Sequence, residues 1–226
     1  MSRLIAIEGT DGSGKGTQAA RLVASLVARN TPAELLSFPR YADTQFGHTI
    51  GRFLNGEFGP LAHVAPELAA VLYAGDRFES RDVIRASLEN NQVTICDRYV
   101  PSNLAHQGSR VAASRQQDVI CWIERMEHEI FGLPVADLVI WLDVPPDISR
   151  QLIAKKAARD YTEREADLQE ENLEYQRGVH AVYASLAASR DRWTRVEGVD
   201  PSTGEMRTID DIAGEILGIV DDWLQD

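Results

Sequence analysis

The sequence predicts an α/β protein in which helices cover both faces of a parallel five-stranded sheet. Short apolar runs alternate along the chain with longer segments whose apolar residues recur at helical spacing, as in consecutive strand–helix–strand units. The first run, Leu4 to Ile7, leads directly into a glycine-rich loop and then into a helical pattern. Because parallel strands need crossover helices, such a sheet is buried on both faces.

Five segments are predicted as strands because they are short, apolar and bounded by loop residues. They are residues 4–7, 35–38, 93–96, 137–144 and 193–199. Trp141, within the most apolar of them, is expected in the core. The predicted helices each carry apolar residues on one face. They are residues 18–30, 43–55, 66–90, 114–131, 146–158, 173–188 and 208–224. Asp43 is the expected cap of the second helix, and Gly132 the expected end of the fourth.

Length and charge narrow the possible functions. The 226 residues suit one domain, without a linker-like stretch. The formal charge of −12 argues against nucleic-acid binding, which needs a concentrated basic surface. No apolar run has membrane-spanning length, and the first residues read as strand and loop instead of a signal peptide. Neither cysteine shows metal-ligand spacing, so a cytoplasmic protein with reduced thiols is expected.

The loop GTDGSGKGT has the composition of a phosphate-binding loop. Its glycines let backbone amides turn inward around a polyphosphate, and the following helix start adds its positive dipole end. Lys15 can reach the outer phosphates as a point charge. The sequence therefore predicts a nucleoside triphosphate site built from Gly9, Gly12, Ser13, Gly14, Lys15, Gly16 and Thr17.

One position of this loop departs from the strict pattern, which places Ser or Thr directly after the lysine. Here that residue is Gly16, and Thr17 comes next. A Mg²⁺ ion must therefore be held by Thr17, by waters, or by a carboxylate such as Asp11 or Asp97. Arg98 follows Asp97 at the carboxyl end of a strand expected beside the first one, so its guanidinium should lie near the loop as a second cation.

Four segments resemble the thymidylate kinase family, in order and over nearly the whole chain. They are FPRY at 38–41, LYAGDR at 72–77, CDRYVPSNLAHQG at 96–108, and a charged stretch before the helix that contains Tyr183. The resemblance implies a P-loop nucleoside-monophosphate-kinase-like fold. It also implies transfer of the γ-phosphate of ATP to dTMP with Mg²⁺, by a homodimer built from helices such as 66–90.

The resemblance also implies roles on the acceptor side. Tyr73 is similar to the aromatic residue that stacks on thymine, and Arg77 to the arginine that grips the base. Both share one face of the predicted helix 66–90, since they are four residues apart. Arg40 resembles the residue that holds the acceptor phosphate, and Tyr41 lies beside it.

The remaining acceptor roles fall on the loop and on the segment after Arg98. Asp11 resembles the carboxylate between the acceptor nucleotide and the metal. Ser102 and Asn103 would contact the base or the neighbouring loop. His106 stands where the family usually has Tyr or Phe near the sugar, so preference for deoxyribose is less strict here.

The charged stretch, about residues 155–171, is expected to act as a mobile lid. Lys155, Lys156, Arg159 and Arg164 are candidates for the cation that closes over the transferring phosphate. Lys156 and Arg159 are the expected catalytic residues among them, together with Lys15, Arg98 and Asp11. Asp167 and Glu170 resemble the acidic residues that face the acceptor sugar and the metal.

Other functions remain open at this point. The GKGTQ ending of the loop is more like an adenylate kinase, although the DGxPR segment of that family is absent. A kinase for another nucleoside monophosphate, or for a deoxynucleoside, is one alternative. The other is a non-catalytic nucleotide-binding switch, which would have no use for Tyr73 or Arg77.

Overall fold

A computed structural model describes residues 2–153 and 173–225. Five parallel strands form one sheet in the order β2-β3-β1-β4-β5. They are β1 (Arg3–Glu8), β2 (Ala33–Ser37), β3 (Val93–Asp97), β4 (Leu138–Asp143) and β5 (Trp193–Glu197). The predicted five-stranded parallel sheet is confirmed. Because β1 lies between β3 and β4, successive crossovers diverge there, and a crevice opens at the carboxyl ends of these strands.

Nine α-helices connect and cover the strands in the described residues. They are α1 (Lys15–Ala28), α2 (Gln45–Leu54), α3 (Pro66–Glu79), α4 (Arg81–Asn90), α5 (Val100–Gly108), α6 (Ala113–Glu124), α7 (Pro146–Ile153), α8 (Leu173–Ser189) and α9 (Ile209–Gln225). A 3₁₀ turn spans Leu61–His63, and a π-helical turn, Arg125–Ile130, extends α6. The hydrophobic core consists of separate clusters on the two faces of the sheet, which confirms that helices cover both faces.

Alternate residues of β1 supply two separate cores, as the two-residue period of a strand requires. Ile5 and Ile7 pack with α1 and α9 on one face of the sheet. Leu4 and Ala6 face the other side, where α5, α6 and α8 pack. Trp141 lies in this second core with 2% of its surface exposed, as expected.

Helix 66–90 was predicted as continuous, and this is wrong. It divides at Ser80 into α3 and α4. The Ser80 hydroxyl donates to the carbonyl of Asp76, four residues earlier, at 2.8 Å. Such back-bonding competes with the helical ladder and bends helices, which accounts for the break.

The predicted cap of the second helix is also wrong. Thr44, and not Asp43, caps α2, because its Oγ1 accepts the N–H of Gly47 at 2.8 Å. The Asp43 carboxylate instead lies 3.0 Å from the guanidinium of Arg40. Gly132, with φ 66°, does follow the extended α6 helix as predicted. The part of helix 146–158 beyond residue 153 lies outside the described residues.

Helix α5 has no counterpart among the predicted elements. All nine of its residues are buried, so no polar face gives it a helical period in the sequence. Among the described residues, no helix is long and apolar enough to cross a bilayer.

The contact between α2 and α3 generates the first testable prediction. A Cβ on Gly75 of α3 would lie 2.5 Å from the ring of Phe46 on α2, closer than packed atoms approach. Gly75→Ala must therefore displace the ring and is expected to lower the free energy of unfolding by about 1 to 3 kcal/mol. Urea unfolding measures the change.

Gly214→Ala in α9 is the matched control, since a Cβ there meets no described atom within 4 Å. Relief of the glycine entropy cost should raise stability by about 0.5 to 1 kcal/mol. Equal effects of the two substitutions would contradict the close packing at Gly75.

Candidate active site

One cavity of about 630 Å³ occupies the crevice at the carboxyl ends of the strands. It gathers most of the predicted site residues. Those that line it are Asp11, Gly12, Ser13, Gly14, Lys15, Gly16, Thr17, Tyr41, Tyr73, Arg77, Asp97, Arg98, Ser102, Asn103 and His106. Gly9 and Arg40 are not among the described residues that line it. Lys155, Lys156, Arg159, Arg164, Asp167 and Glu170 lie outside the described residues.

The phosphate loop joins β1 to α1, and Gly14, with φ 88°, directly precedes the helix. Lys15 is curled over the loop, because its Nζ donates to the carbonyl of Thr10 at 3.1 Å and lies 3.8 Å from the Asp11 carboxylate. Burial, reinforced by the nearby Arg98 charge, lowers the pKa of Lys15 to about 8. Gly9 lies beneath the loop, where a Cβ would meet Ser13 Oγ at 2.7 Å.

Arg98 lies against the phosphate loop, as its place after β3 predicted. It has φ 66°, a left-handed conformation that is uncommon for a residue with a side chain. Its guanidinium donates to Asp11, to Ser102 Oγ at 2.9 Å and to His106 Nε2 at 3.3 Å. Burial opposes its charge, but the Asp11 carboxylate together with Tyr183, Glu8 and Asp97 outweighs burial, and the pKa of Arg98 is raised well above its usual value.

The departure at Gly16 has a steric explanation. A Cβ at this position would lie 2.8 Å from Asp97 Oδ2, so a larger residue would displace the Asp97 carboxylate. The other oxygen, Asp97 Oδ1, is buried and has no hydrogen-bond partner among the described residues. Thr17 is exposed and lines the cavity. The described residues contain no group of three or more His, Cys, Asp or Glu arranged to hold a metal.

The wall of the cavity that α3 and α5 form contains a buried ion pair that the sequence did not reveal. Arg77 of α3 donates through Nε and one terminal nitrogen to the two carboxylate oxygens of Glu127, at 2.5 and 2.6 Å. Asn103 donates from Nδ2 to Glu127 at 2.8 Å and to the carbonyl of Ala70 at 3.0 Å. Asn103 Oδ1 is buried and has no partner among the described residues.

Gln107 is a second wall residue that sequence reasoning missed. It lies one helical turn after Asn103 on α5 and lines the cavity. Its Oε1 accepts from Arg110 at 2.9 Å, which leaves Nε2 buried without a partner among the described residues. If α5 had been recognised as a helix, the i, i+4 spacing of Asn103 and Gln107 would have placed both residues on one face.

Arg40 is bonded to Asp43 and to residues at the end of α3. Its guanidinium lies 3.0 Å from Asp43 and 3.4 Å from Ser80 Oγ, and its backbone N–H donates to the Asp76 carboxylate at 3.1 Å. Its neighbour Tyr41 does line the cavity. Met206 and Arg207 also line the cavity, and no sequence pattern identifies either of them as a site residue.

Glu8, the last residue of β1, is fully buried beneath the cavity. Its carboxylate accepts the backbone N–H of Tyr99 at 2.7 Å, the hydroxyl of Ser102 at 2.6 Å and the hydroxyl of Tyr183 at 2.8 Å. Burial raises the pKa of Glu8, against the opposing effect of these donors and of Arg98. Sequence reasoning missed Glu8, although a single carboxylate at the end of an apolar strand was a signal that could have identified it.

His106 lies between Arg98 and Tyr175. Its Nδ1 is 2.7 Å from the Tyr175 hydroxyl. Burial lowers the pKa of His106 to about 3, and the Arg98 charge adds to this effect, so the ring is neutral at physiological pH. Since a guanidinium only donates, Nε2 accepts from Arg98 and the ring proton resides on Nδ1.

A loop for a polyphosphate and a polar pocket across the same cavity form the arrangement of a phosphate-loop nucleotide kinase. The comparisons agree with this class. The sequence model of the family "Thymidylate kinase" matches residues 7–208. The chain therefore belongs to the thymidylate kinase family.

Individual relatives match over most of their length. The thymidylate kinase of Mycobacterium tuberculosis (strain ATCC 25618 / H37Rv) is 34% identical over 205 residues, covering 90% of this chain and 94% of the relative. That of Thermomicrobium roseum is 37% identical over 205 residues, with 89% of each chain covered. That of Synechococcus sp. (strain JA-2-3B'a(2-13)) is 34% identical over 188 residues, covering 82% and 81%.

The low pKa of His106 predicts a pH dependence of stability. Below about pH 6.5 the His106 ring binds a proton in the unfolded chain but stays neutral in the folded protein. The free energy of unfolding therefore falls as the pH falls. His106→Gln is expected to reduce the slope by up to about 1.4 kcal/mol per pH unit between pH 6 and pH 4.5. Urea unfolding across this range measures the slope.

His48→Gln removes an exposed histidine from α2 and serves as the control. It should keep the slope of the unsubstituted protein. If His106→Gln also kept that slope, the ring would not be neutral and buried in the folded state.

Proposed function

We propose that this chain transfers the γ-phosphate of ATP to dTMP, giving ADP and dTDP, with Mg²⁺. The observation that carries the proposal is the shared cavity, which is lined both by the phosphate loop and by a set of polar and aromatic side chains suited to a pyrimidine. Arg98 lies between the two, bonded to Asp11 of the loop and to Ser102 of the pocket.

The acceptor pocket matches the edge of thymine. Thymine presents an N3–H donor between two carbonyl oxygens. Asn103 Oδ1 can accept from N3–H, while Gln107 Nε2 and the Arg77 guanidinium can donate to a carbonyl oxygen. Tyr73 supplies an aromatic wall for stacking. Uracil lacks only a methyl group, worth about 1 to 3 kcal/mol in an apolar pocket, so some activity with dUMP is expected.

The transfer step needs cations over the phosphates in a site that excludes water. Lys15 and Arg98 supply two of them; Lys15 is buried, Arg98 is partly buried, and hydrogen bonds already hold both in place. The lid residues Lys156 and Arg159 remain the proposed source of a further cation, and Asp167 remains a proposed contact of dTMP. In related reactions an inserted cation is worth about 10³ to 10⁵ in rate.

The residues present fit a Mg²⁺ ion that is held mainly by substrate phosphates and water. Such an ion takes one or two carboxylates from the protein and neutralises phosphate charge when bound. Asp97 places Oδ2 beside Gly16, its Oδ1 is buried with no hydrogen-bond partner among the described residues, and Asp11 lies on the loop. Thr17 at the cavity wall and Glu170 of the lid remain proposed metal contacts.

We also propose a homodimer that acts in the cytoplasm. An apolar surface on α3, α4 and the π turn includes Leu68, Val71, Phe78, Val83 and Ile130, and Leu68 and Ile130 are 64% and 69% exposed. Exposed apolar side chains on neighbouring elements are suited to an interface. Cys96 and Cys121 are both free thiols, which suits a reducing compartment.

The test of function is ADP release with ATP and Mg²⁺ against dTMP, dUMP, UMP, AMP, dCMP and thymidine. Fastest turnover with dTMP is expected. Tyr73→Ala should weaken dTMP use while ATP affinity is kept, because Tyr73 lies on α3, away from the phosphate loop. Preference for another acceptor would leave a kinase of different specificity, and release independent of every acceptor would favour a nucleotide-binding switch.

The dimer prediction is tested by light scattering. Leu68→Glu combined with Val71→Glu should give a monomer, because two carboxylates would be buried without partners in the interface. Val27→Glu, at a 52% exposed position of α1 outside this surface, is the matched control and should leave the dimer intact. A dimer that persists in the double variant would exclude this surface.

A further inference from the structure

Glu127 is a buried carboxylate that belongs to neither substrate wall, yet it contacts both residues that read the acceptor base. It is 0% exposed, and its bidentate partner Arg77 is 2% exposed. A buried ion pair gains little net stability, since the cost of removing both charges from water offsets their attraction. Stability alone is therefore a poor explanation of this pair.

The second contact of Glu127 fixes an amide. Its Oε1 accepts from Asn103 Nδ2 at 2.8 Å, and the same nitrogen donates to the carbonyl of Ala70 at 3.0 Å. With Nδ2 committed to these two acceptors, the amide of Asn103 cannot rotate without losing both bonds. Asn103 Oδ1 is thereby held in a fixed orientation as a hydrogen-bond acceptor without a partner among the described residues. Asn103 itself lines the cavity.

A helix irregularity delivers the carboxylate to this position. Glu127 lies in the π-helical turn Arg125–Ile130, which follows directly on α6. The wider turn changes the direction of the side chains relative to a regular α-helix, and π turns are frequent at functional sites. Glu129, in the same turn, points outward, with 71% of its side chain exposed.

We propose that Glu127 is the positioning residue for recognition of the acceptor base, a proposal that rests on the proposed function. It touches no substrate. It holds Arg77 as a donor and Asn103 Oδ1 as an acceptor, the pair that matches the carbonyl and the N3–H of thymine. Cytosine presents a lone pair at N3 and an amine in place of the carbonyl, so the same two groups oppose it.

The proposal predicts a loss of discrimination in Glu127→Gln. A neutral amide no longer anchors the guanidinium and can donate as well as accept, which frees the Asn103 amide to rotate and offer Nδ2 to cytosine. The KM for dTMP should rise about tenfold or more, with a smaller change in kcat. The ratio of kcat/KM for dTMP over that for dCMP should fall by a similar factor. ATP affinity should be unchanged.

Glu129→Gln is the matched control from the same π turn, and it should keep both the KM and the ratio. Glu127→Asp covers the case in which Glu127→Gln fails to fold. It retains the charge beside Arg77, but it is one methylene too short to reach Arg77 and Asn103 together, so the ratio should still fall.

The outcomes separate this inference from the proposed function. If the unsubstituted protein does not prefer dTMP, the proposed function fails before any variant is compared. If it does, and a folded Glu127 variant lowers kcat/KM equally for dTMP and dCMP, Glu127 is only structural and the inference is overturned. A fall in the ratio, with Glu129→Gln unchanged, supports it.

Discussion

The site depends on one buried carboxylate at the end of the central strand. Glu8 is surrounded by donors from three parts of the chain, namely the Tyr99 N–H after β3, the Ser102 hydroxyl of α5 and the Tyr183 hydroxyl of α8. Burying such a group is costly unless it is hydrogen-bonded, so these donors are constrained to converge on it. The turn after β3 is thereby held at a fixed distance from the phosphate loop.

Arg98 takes its position from this constraint. Its left-handed backbone, at φ 66°, lies directly before the Tyr99 N–H that Glu8 accepts, and its guanidinium donates to the same Ser102 hydroxyl. A strained backbone of this kind persists only where its surroundings fix it. The cation is therefore oriented before any substrate binds, which is the condition for effective electrostatic stabilisation of a transferring phosphate.

The phosphate loop and the five strands were predictable because their determinants are local. Nine consecutive residues specify the loop, and each strand is an apolar run. The other half of the site was not predictable in this way. Glu127 pairs with a residue 50 positions away, and Ser102 bonds to Glu8 across 94 positions. The fully buried α5 hid the spacing of Asn103 and Gln107, and the ion pair of Arg40 with Asp43 gave no sequence signal.

The chain is acidic, yet its proposed substrates are polyanions. The pairing of the cationic side chains of the cavity with carboxylates explains how the two are compatible. Arg98 is paired with Asp11 and Arg77 with Glu127, so each guanidinium is neutralised within the protein and kept charged by its carboxylate. The positive charge of Lys15 is less well compensated, because the Asp11 carboxylate is 3.8 Å away. Its pKa is accordingly lowered by burial to about 8. A phosphate that enters the loop restores the balance for this lysine, whereas it must compete with carboxylates for the two arginines. In the proposed reaction the lysine therefore gains most from the triphosphate, whereas the two arginines are held charged and in place before it binds.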